Sequence, residues 1–116
     1  YNGDIAEENC NSASPVLEPI AWYAGSTTHP VAQKEANPWG LHDMLGNVWE
    51  WTWDKYGSYE SGASQDPTGA SSGSYRVYRG CSWDNAARVC RAAYRLGDSP
   101  GYRFDVLGFR PARSLP

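Results

Sequence analysis

Gly46-Asn47-Val48-Trp49-Glu50-Trp51-Thr52-Trp53 is the stretch that decides how this chain folds. Tryptophans at 49, 51 and 53 alternate with Glu50 and Thr52, the two-residue period of an extended strand with one aromatic face. Just upstream, Leu45-Gly46-Asn47 is expected to turn into that strand. Asn37-Pro38-Trp39-Gly40 reads as an earlier turn, because the residue before a proline is steered out of the helical region. Residues 1–38 are weakly patterned. Pro15, Pro19, Pro30 and Pro38 cut them into short pieces, and Ile20-Ala21-Trp22-Tyr23 is the one apolar run, expected to form a short buried segment. Downstream, Gly57, Gly62, Gly69 and Gly73 punctuate a surface loop over 57–75, unusually long for one compact domain. Tyr75 to Tyr78 predicts a short strand broken by Arg79-Gly80-Cys81. Asn85 to Tyr94 predicts a helical turn or two, with Ala86, Ala87, Cys90 and Ala93 on one side. Pro100-Gly101 is a turn, and Val106 to Arg110 is a last strand ended by Pro111.

A chain of 116 residues is one domain at most, with a modest core. It has 12 Gly, 8 Pro and a single Met, and few windows carry a 3.6-residue period. A compact, loop-rich domain held by aromatic packing follows. The net charge of −3 hides an asymmetry: residues 1–75 hold ten Asp or Glu against two Lys, and residues 76–116 hold eight Arg against three Asp. The arginines are therefore expected to pair with acids of the first part. A nucleic-acid footprint would need a basic surface, which this balance argues against. No apolar run reaches 18 residues, so no membrane-spanning helix is expected. Tyr1 is no native initiator, so the chain is read as mature, trimmed or a fragment, and a missing targeting segment says little about compartment.

Cysteines 10, 81 and 90 make an odd count, with no CxxC, and two His do not complete a zinc set. Cys81 and Cys90 could form a disulfide if a tight excursion brings their Cα atoms together. The sequence alone does not decide that.

Four blocks carry a family resemblance. Asn37 to Trp51 resembles the "N-x-[aromatic]-G-L-x-D-M-x-G-N-V-W-E-W" block of the formylglycine-generating-enzyme (sulfatase-modifying-factor) family. Arg76 to Trp83 resembles its "R-V-x-R-G-G-S-W", Cys90 to Arg95 its "C-R-x-A-x-R", and Leu107 to Arg110 its terminal "L-G-F-R". The likeness runs from about Pro19 to Arg113 in the family's order. It implies an α+β, C-type-lectin-like fold, rich in loops with short antiparallel strands and little helix. Complete domains of the family are about twice this length or more. Residues 1–116 are thus expected to be a single domain or the C-terminal part of one, and a missing N-terminal portion is a possible partner.

The resemblance also implies a structural calcium ion, with Asn47 and Glu50 as side-chain ligands and the main chain around Val48 completing the shell. Carboxylate, amide and carbonyl oxygens are the donors Ca²⁺ takes. The alternative is that Asn47 adopts an unusual turn conformation while Glu50 pairs with a C-terminal arginine. The family's copper-dependent oxidases convert a substrate cysteine to formylglycine with two cysteines five positions apart, soft thiolates suited to Cu(I). Here the second falls on Cys90 and the first on Asn85, whose amide cannot replace a thiolate. Copper is therefore not expected. Cys81 stands where the family has the second glycine of its "R-G-G-S-W" and leaves three alternatives: a displaced Cu(I) pair with Cys90, a disulfide with it, or two separate buried thiols.

Some relatives that lack the cysteine pair act in secondary-metabolite or siderophore chemistry, and others are receptor-like proteins diversified near the C-terminus. The resemblance thus favours a module that binds a protein or small molecule, through Asp84, Asn85, Arg88, Leu96, Gly97, Asp98, Tyr102, Phe104, Asp105 and Val106 in the loops between blocks. Exposed aromatics flanked by Arg and Asp have the character of contact hot spots. Phe104 and Val106 also alternate with Arg103 and Asp105, as core residues of the last strand would. The competing reading is an enzyme, oxidising through Cys81 and Cys90 or performing related chemistry on the same scaffold. A secreted, periplasmic or surface location is favoured over the cytoplasm. Of the other polar residues, His42 reads as a hydrogen-bonded histidine. Arg79, Arg91, Arg95 and Arg110 read as bidentate partners of carboxylates such as Glu50 or Asp43. Trp49, Trp51, Trp53 and Trp83 read mostly as core, their indole N–H groups donating to loop carbonyls.

Overall fold

The computed structural model describes residues 13–59, 61–63 and 65–113; Cys10 and the acidic residues 4, 7, 8 and 60 lie outside them. The tryptophan stretch is a strand, β1 (Trp49–Lys55). It is joined by β2 (Arg76–Arg79), β3 (Arg95–Asp98) and β4 (Leu107–Phe109) in one sheet of order β3-β2-β1-β4. The pairs β1–β2 and β2–β3 are antiparallel, with Trp51 opposite Tyr78 and Val77 opposite Gly97. Strand β4 runs parallel to β1, placing Trp49 beside Leu107 and Trp51 beside Phe109. The result is α+β and loop-rich, with a 3₁₀ turn over Ala87–Val89 as the helical element among the described residues.

The main core cluster gathers on the face of the sheet that carries Trp49, Tyr78 and Leu96, while Val77, 2% exposed, is buried on the opposite face. Leu17, Ala21, Leu45, Trp49, Cys81, Ala87 and Cys90 are buried together, with Tyr78, Tyr94, Leu96, Val106 and Leu107 packed around them. Trp49 meets Tyr78 edge-on at 5.3 Å between ring centroids. Val106 thus joins the core, as its alternation allowed. The segment 17–21 turns through Ile20 and Ala21 N–H groups bonded to the Leu17 carbonyl, which buries Leu17 and Ala21 against Trp49.

Several expectations are corrected here. The single aromatic face of β1 fades along the strand: Trp49 is 4% exposed and Trp53 83%, because β4 pairs only as far as Trp51 and the core ends there. Leu96, Gly97 and Asp98 are not loop residues. They form β3, and the Tyr56 ring covers Gly97 so closely that a Cβ would lie 2.4 Å from it. The expected helix over 85–94 shrinks to three residues. Ala93 is exposed there, while Ala87 and Cys90 face the core. Among the described residues, Arg79, Arg91 and Arg95 meet carbonyls and rings, while Arg110 pairs with Glu50. Arg79 donates to the Ala92 carbonyl at 3.0 Å, and Arg95 to that of Gly57 at 2.6 Å while lying 4.0 Å over the Tyr59 ring. Arg91 lies 5.8 Å over Tyr94. His42 does accept or donate a hydrogen bond, its Nδ1 2.8 Å from the Lys34 carbonyl oxygen.

Candidate functional site

The family blocks converge on one knot. The Gly46 N–H donates to the Gly80 carbonyl at 2.7 Å, the Asn47 N–H to that of Trp22 at 2.8 Å, and the Trp83 N–H to that of Asn47 at 2.8 Å. Both turns of this knot hold non-glycine residues at positive φ, Asn47 at 63° and Cys81 at 60°.

Cys81 and Cys90 are bonded to each other and both are 0% exposed. Of the alternatives left open for this pair, the disulfide is the one present. It leaves neither sulfur as a thiolate for Cu(I). The ring it closes holds Ser82 to Val89. Inside it, Asn85 Oδ1 accepts from the Ser82 N–H at 3.0 Å and from the Ser82 hydroxyl at 2.9 Å. The hydroxyl also reaches Asp84 Oδ1, so its one proton is shared between two acceptors. Asn85 is therefore a turn-forming amide. Asp84 and Arg88 point outward and are exposed. A disulfide forms and persists in oxidising compartments, which favours a location outside the cytoplasm. No helix among the described residues is long and apolar enough to cross a membrane.

Tyr102 and Phe104 lie between β3 and β4, 43% and 49% exposed, with their rings edge-on at 4.1 Å. Phe104 is thus outside the core. Asp98 ends β3 and caps the Ser99 N–H at 2.7 Å. Among the described residues, no hydrogen bond or ring contact joins the 84–88 turn to the Tyr102–Phe104 pair; they are two patches.

The expected calcium ligands have other partners. Asn47 is 6% exposed and clasps the His29 backbone, its Oδ1 accepting from N–H and its Nδ2 donating to C=O, both at 3.0 Å. Glu50 takes a bidentate fork from Arg110, with Nη2 at 2.7 Å and Nε at 2.9 Å, and these bonds hold the Arg110 pKa above the ordinary guanidinium value. Arg110 Nη2 also donates to the Asp43 carbonyl at 3.1 Å, tying the C-terminal strand to the start of the knot. Val48, half-buried, sits between the two proposed ligands. Among the described residues, three buried side-chain atoms around the knot have no partner: Asp43 Oδ1 and the indole nitrogens of Trp22 and Trp83. Among the described residues no group of three or more His, Cys, Asp or Glu is placed to hold a metal.

The Glu50–Arg110 fork carries a prediction. Its side chains are 25% and 36% exposed, so solvent screens it in part. Arg110→Met should lower unfolding free energy by about 1–2 kcal/mol, the range for hydrogen bonds to a charged group after that discount. A chelator should leave the melting temperature of the unaltered protein where it was. A fall of several degrees on chelation, reversed by Ca²⁺, would instead show that the fork yields to a bound ion.

What the sequence did not disclose lies in the first forty residues. Trp22 stacks on His29 with ring centroids 3.6 Å apart and planes 12° apart, and Lys34 Nζ stands 4.1 Å from the Trp22 ring. Two aromatic rings and a cation seven and twelve positions along a proline-broken segment have no periodic signal.

The comparisons with known proteins agree with this geometry. Residues 2–115 match the model of the sulfatase-modifying factor enzyme 1-like domain. A Chlamydia caviae protein named serine/threonine-protein kinase pkn1 is 41% identical over 97 residues, covering 80% of this chain and 16% of its own. The Bos taurus protein named inactive C-alpha-formylglycine-generating enzyme 2 is 35% identical over 115 residues, 95% of this chain and 30% of that protein. In three dimensions, Treponema denticola variable protein 1 superposes with a TM-score of 0.74 at 46% identity, over 80% of this chain and 35% of that one. The chain spans about a third or less of the length of these relatives. With the knot, its sheet and a family model matched over residues 2–115 in agreement, this chain belongs to the formylglycine-generating-enzyme (sulfatase-modifying-factor) family.

Proposed function

We propose that this chain is a binding member of the family and not a cysteine oxidase, and that residues 1–116 form the C-terminal part of one domain. The observation that carries this reading is Asn85. It stands at the first thiolate position and spends its side chain on the Ser82 turn, while Cys90 is bonded to Cys81. The name of the Bos taurus relative, which includes the word inactive, points the same way, and so does the word variable in that of the Treponema structure. A protein or small-molecule ligand would meet the exposed Asp84 and Arg88 and the Tyr102–Phe104 pair, a rigid aromatic anchor with acids and arginines near it in sequence. Leu96 and Asp98 would support that surface from β3. Its setting would be secreted, periplasmic or surface-associated, where the disulfide persists. The remainder of a longer domain is a further partner.

Copper content tests the first half of the proposal. After reduction and Cu(I) loading, the purified protein should hold no stoichiometric copper by mass spectrometry. One copper per chain, lost in Cys90→Ser, would establish a rearranged oxidase site and overturn the reading. The second half is tested by stability. If Tyr102 and Phe104 serve contact and not packing, Tyr102→Ala and Phe104→Ala should each move unfolding free energy by no more than about 0.5–1 kcal/mol, the range for surface positions. A cost of several kcal/mol would make them core residues and remove them from the binding surface.

A further inference from the structure

Strands β2 and β3 set two arginines against each other. In their antiparallel register Arg79 is the direct partner of Arg95, and Val77 of Gly97. Side chains alternate across a sheet, so Arg79 and Arg95 project from the face that buries Val77, away from Tyr78 and the main core. Like charges directly opposite one another destabilise a strand pair. Yet neither guanidinium has an acid: among the described residues the ion pairs are Lys34–Glu18 and Arg110–Glu50. Both arginines are half-buried, so water and salt screen their repulsion less than on an open surface.

The surroundings fix both cations without neutralising them. Arg79 Nη1 donates to the Ala92 carbonyl at 3.0 Å and Arg95 Nη2 to that of Gly57 at 2.6 Å. The Arg95 guanidinium carbon lies 4.8 Å from the Tyr56 ring centroid and 4.0 Å from that of Tyr59. Ring contacts use the flat face of a guanidinium, while its five N–H groups lie in its plane. Each arginine spends one of these on a carbonyl, so donors remain on both. They converge on the Tyr59 hydroxyl: a hydrogen bond from Arg79, and the charge of Arg95, hold that phenol below its usual pKa. Tyr59 is 73% exposed, which leaves the point of convergence open to solvent.

We propose that Arg79 and Arg95, with the Tyr59 hydroxyl, bind a phosphate dianion, free or as the head of a monoester. Two guanidiniums with no carboxylate leave two positive charges, which a dianion cancels and a carboxylate only halves. Phosphate also offers strong acceptor oxygens enough to span donors on two side chains, and the planar guanidinium fork matches its geometry. The phenol hydroxyl donates as well as accepts, so it can turn its proton to the anion. The exposed Tyr59 ring gives an organic group on the phosphate a flat contact. This site lies on the other face of β3 from Leu96 and Asp98. It uses none of Asp84, Arg88, Tyr102 or Phe104, and it stands or falls apart from the surface proposed above.

Arginine Nε–H resonances read the site directly, and Arg79→Lys and Arg95→Lys identify the two of interest. Inorganic phosphate and phenyl phosphate are the probes, titrated near neutral pH at constant ionic strength against chloride. The Arg79 and Arg95 resonances should move together and saturate, with acetate binding far more weakly. Equal affinity for the two probes makes the ligand free phosphate, and tighter binding of phenyl phosphate makes it a monoester. Arg79→Gln should weaken binding about tenfold or more, as loss of a charged hydrogen-bond donor does, and the Tyr102→Ala, Phe104→Ala pair should leave it unchanged. A drift of all arginines without saturation, acetate bound as tightly as phosphate, or undiminished affinity in Arg79→Gln overturns the site. So does phosphate binding that appears only in Glu60→Gln, since the chain would then supply its own counter-ion. Should Arg79→Gln fail to fold, solvent exchange of the two Nε–H protons in the unaltered protein decides. Phosphate slows it if the site is real, and unchanged exchange refutes it.

Discussion

Replacing Cys81 and Cys90 together by alanine should lower the unfolding free energy by about 3 kcal/mol. Their sequence separation is 9, and a closed loop of that size restricts the unfolded chain by about 2.7 kcal/mol in the chain-entropy model. Both residues are 0% exposed within the core cluster, so losing two buried sulfurs adds to the loss. For a domain near 100 residues, about 3 kcal/mol corresponds to a fall of roughly 10–20 °C in melting temperature. Thermal unfolding of the variant, and of the unaltered protein with and without reductant, reads the effect. A change below about 1 kcal/mol would mean the bond contributes almost nothing to the native state. Position 81 makes the effect instructive. Cys81 sits at φ 60°, where a residue with a Cβ costs about 1–2 kcal/mol and where the family pattern has glycine. Cysteine there is a poor choice on backbone grounds alone. Bonding to Cys90 offsets that strain and fixes the Ser82–Val89 ring that presents Asp84 and Arg88.

Much of this frame was legible from residue type and period. The alternation at 49, 51 and 53 became β1, the Val-Tyr pair at 77–78 became β2, and Leu107-Gly108-Phe109 became β4. These strands carry β-branched or aromatic residues whose pattern is local. Strand β3 carries no such signal. Arg95-Leu96-Gly97-Asp98 has one large apolar residue in four, and it is extended because β2 pairs with it and Tyr56 fills the space over Gly97. The arginines show the same limit. Charge asymmetry suggested carboxylate partners, and Arg110 has one in Glu50. Arg79 and Arg95 instead found the carbonyls of Ala92 and Gly57, groups that every residue carries and no sequence marks. The candidate site divides likewise. Asn85 could be set at a thiolate position only through the family resemblance, and Phe104 stood open between loop contact and strand core until the fold left it 49% exposed. A cavity of about 220 Å³ lined by Trp22, His29 and Trp83 was not legible, since only the folded backbone brings those segments together.

Gly46→Ala should be the most damaging single methyl in the protein, costing about 4 kcal/mol. Gly46 lies at φ 82°, so an alanine there bears the left-handed penalty of about 1–2 kcal/mol. Its Cβ would also stand 2.4 Å from the Trp22 carbonyl oxygen and 2.6 Å from the Trp22 nitrogen. Those are backbone atoms, and they cannot swing aside as a side chain can. The Trp22 carbonyl is held by the Asn47 N–H at 2.8 Å, and the Gly46 N–H is itself held by Gly80 at 2.7 Å. Overpacking against so fixed a neighbour adds about 1–3 kcal/mol or more, a large share of the roughly 5–15 kcal/mol that holds a typical domain folded. Gly40→Ala is the matched control: φ is 76°, with nothing within 4 Å of the added methyl, so only the backbone penalty of about 1 kcal/mol applies. Denaturant unfolding of the two variants separates strain from contact. Equal costs would mean that the Trp22 backbone does not press on Gly46. The segment that carries Trp22 would then not be docked against the entry to β1, and the cavity between Trp22 and Trp83 would lose one of its walls.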